Sequence, residues 1–486
     1  MDPSDLVFSS AHEAAKAIRK DEVSSLALTE CIFDRIDRFN PALNAVVTLM
    51  REEALSCAQE ADEALARGEV WGPLHGVPIS IKDCFKTAGV RTTAGSRSMS
   101  DNVPGEDAVA VARLRAAGAV IIGHSNVPVM AGDWQSYNRV FGTTNNPWDL
   151  DRTPGGSTGG GAAAIAAGLS FLSLGSDIGG SIRVPSHFCG VYGHKPTLNI
   201  VPMRGHIPPP PGTPPEPPPI LPVAGPLARS AKDLKIAVEV LGGPNNEDAK
   251  AYQWNLPSAR GASLSDYRVG YVLDHPSCPV SSDVKEVIKT GIEALHGKVD
   301  MLEEGWPPGV DPVEQYTTYR FLLASVHAES LRDEEYEETR ERALEQDGSY
   351  EPIIAKAWTA PHKHFQAEDR NRMAARALWQ EYFETHDAFL LPVSFLPAFP
   401  HDHSHPFWDR RLPTSDGLRR YEDLLFLISF ATLTGLPATV APIGRTRDGL
   451  PVGIQIIGPY LEDATPIDVA SKISEVVGGF RPPEGY

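Results

Sequence analysis

The sequence predicts an α/β fold, a sheet carrying helices on its faces, and three observations lead there. Short apolar runs at Ile79–Lys82, Val120–Gly123 and Phe171–Gly175 alternate with Ala-rich helical stretches such as Ala108–Gly118. The 486 residues suffice for one large α/β enzyme domain with insertions, or for about two to four average domains. With 42% hydrophobic and 22% charged residues, the chain can bury a sizeable core.

Residues 10 to 70 read as helices. "SSAHEAAKAIRK" opens on serine caps and continues in good helix formers. "SLALTECIFDRIDRFN" keeps apolar residues at helical spacing until Asn40–Pro41, and "REEALSCAQEADEALARGE" is a third helix ending near Gly68. The strand-and-helix alternation starts at "GPLHGVPISIKD". The segment 205–222, "GHIPPPPGTPPEPPPILP", is low-complexity: alone it reads as polyproline II, and between folded pieces as a stiff surface loop. Residues from about 275 to 385 are acidic, aromatic and helical, and fit a helical layer over one side of the sheet. Strand patterns return at "HDAFLLPVSFLPAFP" and "GLPVGIQIIG".

A net charge of −19, from 44 Lys+Arg against 63 Asp+Glu, disfavours nucleic-acid binding and favours neutral or cationic substrates. The five cysteines are scattered without a C-x-x-C, which suggests neither zinc nor a disulfide framework and fits a reducing cytoplasm. The N-terminus carries early acids and no apolar core, unlike a signal peptide. The uncharged run 153–176 is too rich in Gly, Ala and Ser for a membrane span and reads as buried active-site scaffold.

Chemistry concentrates in three stretches. In "GSDIGGSIRVPS", residues 175–186, bare backbone leads up to Ser181, so the N–H groups of Ile178, Gly179, Gly180 and Ser181 can converge on a developing oxyanion. Alone, the stretch reads rather as a Gly-Gly turn whose serine caps a helix. "TPGGSTGGGAAAIAAG", residues 153–168, frames a second serine, Ser157, and lacks the G-K-[ST] of a phosphate loop. A serine nucleophile needs a base. His187 and His194 lie near Ser181 but in no motif, whereas Lys82 ends the apolar strand "GVPISIKD", where a desolvated amine can serve as base.

Together "GVPISIKD", "PGGSTGGGAAAIAAG" and "GSDIGGSIRVPSHFCGVYGHKPT" resemble the amidase signature family of serine hydrolases. "FGTTNNPWD", "GPLARSAKDL" and "GLPVGIQIIG" extend the likeness over roughly residues 10 to 475. The resemblance implies a large, mixed, twisted sheet between helical layers, with residues 1–70 packed on a domain spanning 71–475. It makes Ser181 the nucleophile, Ser157 the bridging serine after a cis peptide bond, Lys82 the base, and Ile178 to Ser181 the oxyanion hole. The family's second serine is Thr158 here, with Arg183 expected as the partner of its hydroxyl. Asp177 and Asp83 are expected to be structural hydrogen-bonding acids, and Cys84 and Cys189 packed thiols. No metal or organic cofactor is implied.

Aligned on the serines, residues 129–138 ("VMAGDWQSYN") wall the acyl side, with Ala131, Gly132 and Trp134 as substrate contacts and no cation for a carboxylate. The proline loop and the insert around 310–385 are expected to cover the pocket mouth. This rim fits neutral anilides, aryl or fatty amides, or carbamates such as urethanes, with side esterase activity, turned over by a cytoplasmic monomer or homodimer. Two other readings stand beside it: a glutamine-hydrolysing A subunit of the tRNA-dependent amidotransferase, and a non-catalytic protein displaying the polyproline segment.

Overall fold

Eleven strands make up one mixed sheet in the computed structural model, which describes residues 1–209, 218–328, 331–345 and 351–486. In chain order they are β1 (Val46–Leu49), β2 (Pro78–Lys82), β3 (Val120–Ser125), β4 (Leu172–Asp177), β5 (Tyr192–Lys195), β6 (Val223–Ala228), β7 (Arg268–Tyr271), β8 (Met301–Glu304), β9 (Ala388–Pro392), β10 (Ala438–Arg445) and β11 (Pro451–Ile457). Across the sheet the order is β1-β3-β2-β4-β6-β5-β10-β11-β9-β7-β8. β2 lies parallel to both β3 and β4, and β7 parallel to β8 and β9, while the other pairs are antiparallel. β2, β3 and β4 are buried along their whole length, as strands covered on both faces must be.

The N-terminal helices form at Ala11–Arg19, Ser25–Leu43 and Arg51–Ala66. Ser10 caps the first through a capping box with Glu13. Two expectations need correction here. The second helix runs through Pro41 to Leu43, where Asn44 closes it in a left-handed conformation. The segment 1–70 is also not purely helical: β1 pairs antiparallel with β3 and joins the sheet.

The uncharged run 153–176 divides into the buried helix Gly159–Ala166 and β4. Among the described residues, no helix is long and apolar enough to cross a membrane. The insert supplies helices at Ser282–Glu293, Pro312–Ser325, Tyr336–Arg342, Glu351–Thr359 and His362–Thr385, and also the edge strand β8. Within the proline-rich segment, residues 210–217 lie outside the described residues, so the polyproline II reading falls in part there. Helix Leu424–Thr434 is buried at every position, packed against the insert helices Pro312–Ser325 and His362–Thr385, and its Leu427 carbonyl accepts from Gln455 of β11.

Candidate active site

The three chemical stretches meet at the carboxyl ends of β2 and β4, the edge where α/β sheets present reactive groups. The two strands are parallel neighbours, with Ser80 opposite Ser173 and Ile81 opposite Leu174. Lys82 therefore ends beside Ser176 and Asp177. From Asp177 the chain turns through Ser181 into helix Arg183–Cys189, and Ser157 stands just before helix Gly159–Ala166.

Nζ of Lys82 lies 2.7 Å from Ser157 Oγ, 3.0 Å from Ser176 Oγ and 3.5 Å from the Ser176 carbonyl. Lys82 is fully buried, and burial pushes its pKa down from the ordinary 10.5 against the pull of Cys84 and Asp177. Its neutral form becomes accessible, as a base requires. Ser157 follows a cis bond from Gly156, and the Thr158 N–H donates to the Ser181 carbonyl at 3.1 Å, tying the two serine loops together. Gly156 must be glycine, since a Cβ there would lie 2.4 Å from the Asp133 carbonyl oxygen.

The loop carrying Ser181 is gripped peptide by peptide. The Asp177 carboxylate accepts from the N–H groups of Gly180 (3.0 Å), Ile182 (3.0 Å) and Arg183 (3.3 Å) and from the Arg183 side chain. Burial opposes its charge, but the Arg183 guanidinium and the Ile182 amide outweigh burial and hold the pKa at about 2. On the other side, the Trp134 indole donates to the Gly179 carbonyl at 2.7 Å and the Tyr319 hydroxyl to the Ile178 carbonyl at 2.8 Å. Gly180 takes φ +88°, a conformation glycine adopts without penalty. The amides of Ile178, Gly179 and Ser181 meet no protein acceptor among the described residues, so they can donate to a substrate oxygen.

The sequence profile of the Amidase family matches residues 27–466. The chain belongs to that family. It is 32% identical over 495 residues to the A subunit of the Carboxydothermus hydrogenoformans glutamyl-tRNA(Gln) amidotransferase, covering 97% of this chain and 98% of the relative. Among solved structures it superimposes with a TM-score of 0.80 on an inhibitor-bound protein from a vestigial complex tied to the origins of an s-triazine catabolic enzyme. Identity there is 26%, over 97% of this chain and 99% of the other. The A subunit of the Thermotoga maritima glutamyl-tRNA(Gln) amidotransferase matches with a TM-score of 0.77 and 25% identity, over 99% and 98% of the two chains.

Two expectations for this amidase are corrected by geometry. Arg183 does not hold Thr158: its five N–H donors are taken by Asp177 twice, the Ile428 carbonyl, Gln455 and Thr432. The Thr158 hydroxyl points instead to the Ser176 carbonyl at 3.5 Å. Gly180 leaves the set of four converging amides, because its N–H is committed to Asp177. Asp83 binds Thr93 and His124, and Cys189 rests on the Pro154 carbonyl. His187 binds backbone of Gly453 and Leu396, and His194 pairs with Asp463, both away from Ser181. Trp134 reaches the serine loop, whereas Ala131 and Gly132 make their backbone bonds within their own turn, to Pro128 and Val129.

Three further side chains surround Lys82 and the Ser181 loop without having been singled out in the sequence. Ser176 receives Lys82, Tyr319 steadies Ile178 from the insert, and His206 lies 2.9 Å from Ser176 Oγ. His206 did carry a signal, as the one ionisable side chain heading the proline run. Tyr319 had none, since it is one of several aromatics on an insert helix.

Proposed function

We propose that the protein hydrolyses carboxamide C–N bonds through an acyl-enzyme on Ser181. The observation that carries this is the 2.7 Å contact between a fully buried lysine amine and the Ser157 hydroxyl, on the loop joined to Ser181. Neutral Lys82 takes the Ser157 proton as Ser157 takes that of Ser181, whose oxygen bonds to the carbonyl carbon. The amides of Ile178, Gly179 and Ser181 receive the oxyanion. The proton returns through Ser157 to the departing nitrogen, and water then cleaves the ester.

For the substrate, the relatives support glutamine hydrolysis within an amidotransferase over the bulky neutral amide, since amidotransferase A subunits match this chain end to end above 30% identity. A second reading, free-standing hydrolysis of a neutral amide or carbamate, is favoured by one feature of the wall. The groups facing Gly179 are Leu425, the Tyr319 hydroxyl and the Trp134 ring, at 3.6, 3.9 and 4.0 Å from a Cβ built there, and none is charged. Arg410, the cation brought to the 129–138 segment, is already spent on Asp133 and Tyr137. Ammonia release from glutamine is compared with chromophore release from aryl amides and an aryl carbamate, with Ser181→Ala as control. Turnover of glutamine alone, or only with a partner protein present, selects the first reading. Turnover of anilides by the isolated chain, lost in Ser181→Ala, selects the second, and activity that survives Ser181→Ala refutes both.

A further inference from the structure

A neutral lysine has two N–H bonds and one lone pair, and only the lone pair can take the Ser157 proton. The 2.7 Å contact alone does not orient it. The hydrogen bonds behind the lysine do.

Nδ1 of His206 lies 3.0 Å from the Pro208 carbonyl, which can only accept. Nδ1 therefore carries the ring proton, and Nε2 of the neutral imidazole is an acceptor. The Ser176 hydroxyl, 2.9 Å from Nε2, donates its single proton there. Ser176 Oγ then offers only lone pairs to Lys82 Nζ at 3.0 Å, so Lys82 must turn an N–H toward it. The second N–H faces the Ser176 carbonyl at 3.5 Å. The remaining lone pair is left for Ser157.

We propose that His206 is a positioning residue: through Ser176 it fixes the direction of the hydrogen bonds around Lys82, so that the lysine lone pair faces Ser157. The inference rests on the reading of Lys82, Ser157 and Ser181 as base, relay and nucleophile. Without His206 the Ser176 hydroxyl is free to rotate and donate to the lysine itself, which occupies the lone pair the reaction needs. The titratable groups about the imidazole are Lys82, one hydroxyl away, and the Cys84 thiol, 3.3 Å from Nε2. A thiol is a weak donor and competes poorly with Ser176 for that nitrogen. His206 is half-buried, and its ring lies edge-on to Phe85.

The test is the rate at which a fluorophosphonate labels Ser181, which needs no knowledge of the substrate. Wild type is compared with His206→Leu, His206→Gln, Ser176→Ala and the His206→Leu/Ser176→Ala pair. His206→Leu is expected to slow labelling by about 2- to 10-fold, the scale of one neutral hydrogen bond. His206→Gln, whose amide oxygen can accept from Ser176, restores most of the rate. The double variant is no slower than the slower single one, since both changes break one chain. Wild-type labelling by His206→Leu overturns the proposal, as do equal losses in the Leu and Gln variants with multiplying effects in the pair. If His206→Leu does not fold, His206→Met takes its place, with the same outcomes supporting or overturning the proposal. An unlabelled wild type, or labelling that persists in Ser181→Ala, refutes the nucleophile assignment and the proposal with it.

Discussion

The indole N–H of Trp134 donates to the Gly179 carbonyl across 2.7 Å, while the N–H at the other end of the same peptide, on Gly180, donates to Asp177 at 3.0 Å. A trans peptide points its C=O and N–H in opposite directions, so a grip at both ends fixes the plane. Tyr319 fixes the preceding carbonyl, of Ile178, and thereby aims the Gly179 N–H the other way. The loop is thus built to present some amides and retire others.

Trp134→Phe keeps an aromatic ring and removes this donor. The Gly179 carbonyl loses its partner, which should cost about 1–3 kcal/mol of stability. With the plane released, kcat should fall on the order of 10-fold, with a smaller change in KM. Thermal melts and steady-state rates check both. A variant that loses KM alone would make Trp134 a substrate wall only.

Lys82 supplies the pH dependence. In the proposed mechanism the neutral amine is the form that takes the proton, and burial places its pKa below the ordinary lysine value. kcat/KM should therefore rise with pH and level off below the ordinary 10.5. Lys82→Met should lower kcat by about 10²–10⁴, and Lys82→Arg should do no better, because a guanidinium stays charged. A rise centred at the ordinary lysine pKa would refute the assignment.

The segments that meet at the site were legible in the sequence because each is written locally. "GVPISIKD" is a buried strand with one polar terminus, and the two glycine-framed serines mark turns whose backbone must be bare. What escaped depends on partners far along the chain. Arg183 looked free to hold Thr158 only because Gln455, Thr432 and the Ile428 carbonyl, which claim it, lie more than two hundred positions away. β1 escaped because four residues between two strong helices carry too short a pattern to register as a strand. Nothing in the neighbourhood of Tyr319 distinguishes the tyrosine that reaches Ile178 from those that pack.

Asp177 and Arg183 are both fully buried, so removing one charge leaves the other unpaired. Asp177→Asn should destabilise the fold by about 3–5 kcal/mol, measurable by denaturant unfolding. The sign with pH follows from its pKa of about 2 against 3.8 unfolded. This contribution is complete above 3.8 and is lost as pH falls toward 2, so the wild-type advantage over the variant should shrink across that window. A constant difference would show that the fold does not lower the pKa of this carboxylate.

A second window opens at milder acidity. His187 is fully buried, with Nδ1 accepting from the Gly453 N–H at 2.8 Å and Nε2 donating to the Leu396 carbonyl at 3.1 Å. Burial lowers its pKa to about 4, against 6.5 in the unfolded chain. Between these values the unfolded state binds the extra proton, so stability rises with pH there. As pH falls from 6.5 to 4, this one residue should cost about 3 kcal/mol. His187→Gln, whose amide can both accept and donate but does not titrate, should flatten the slope of Tm against pH in that range, whatever its effect at neutral pH. An unchanged slope would mean that the imidazole is already protonated in the native state, or that its pKa is not displaced by burial.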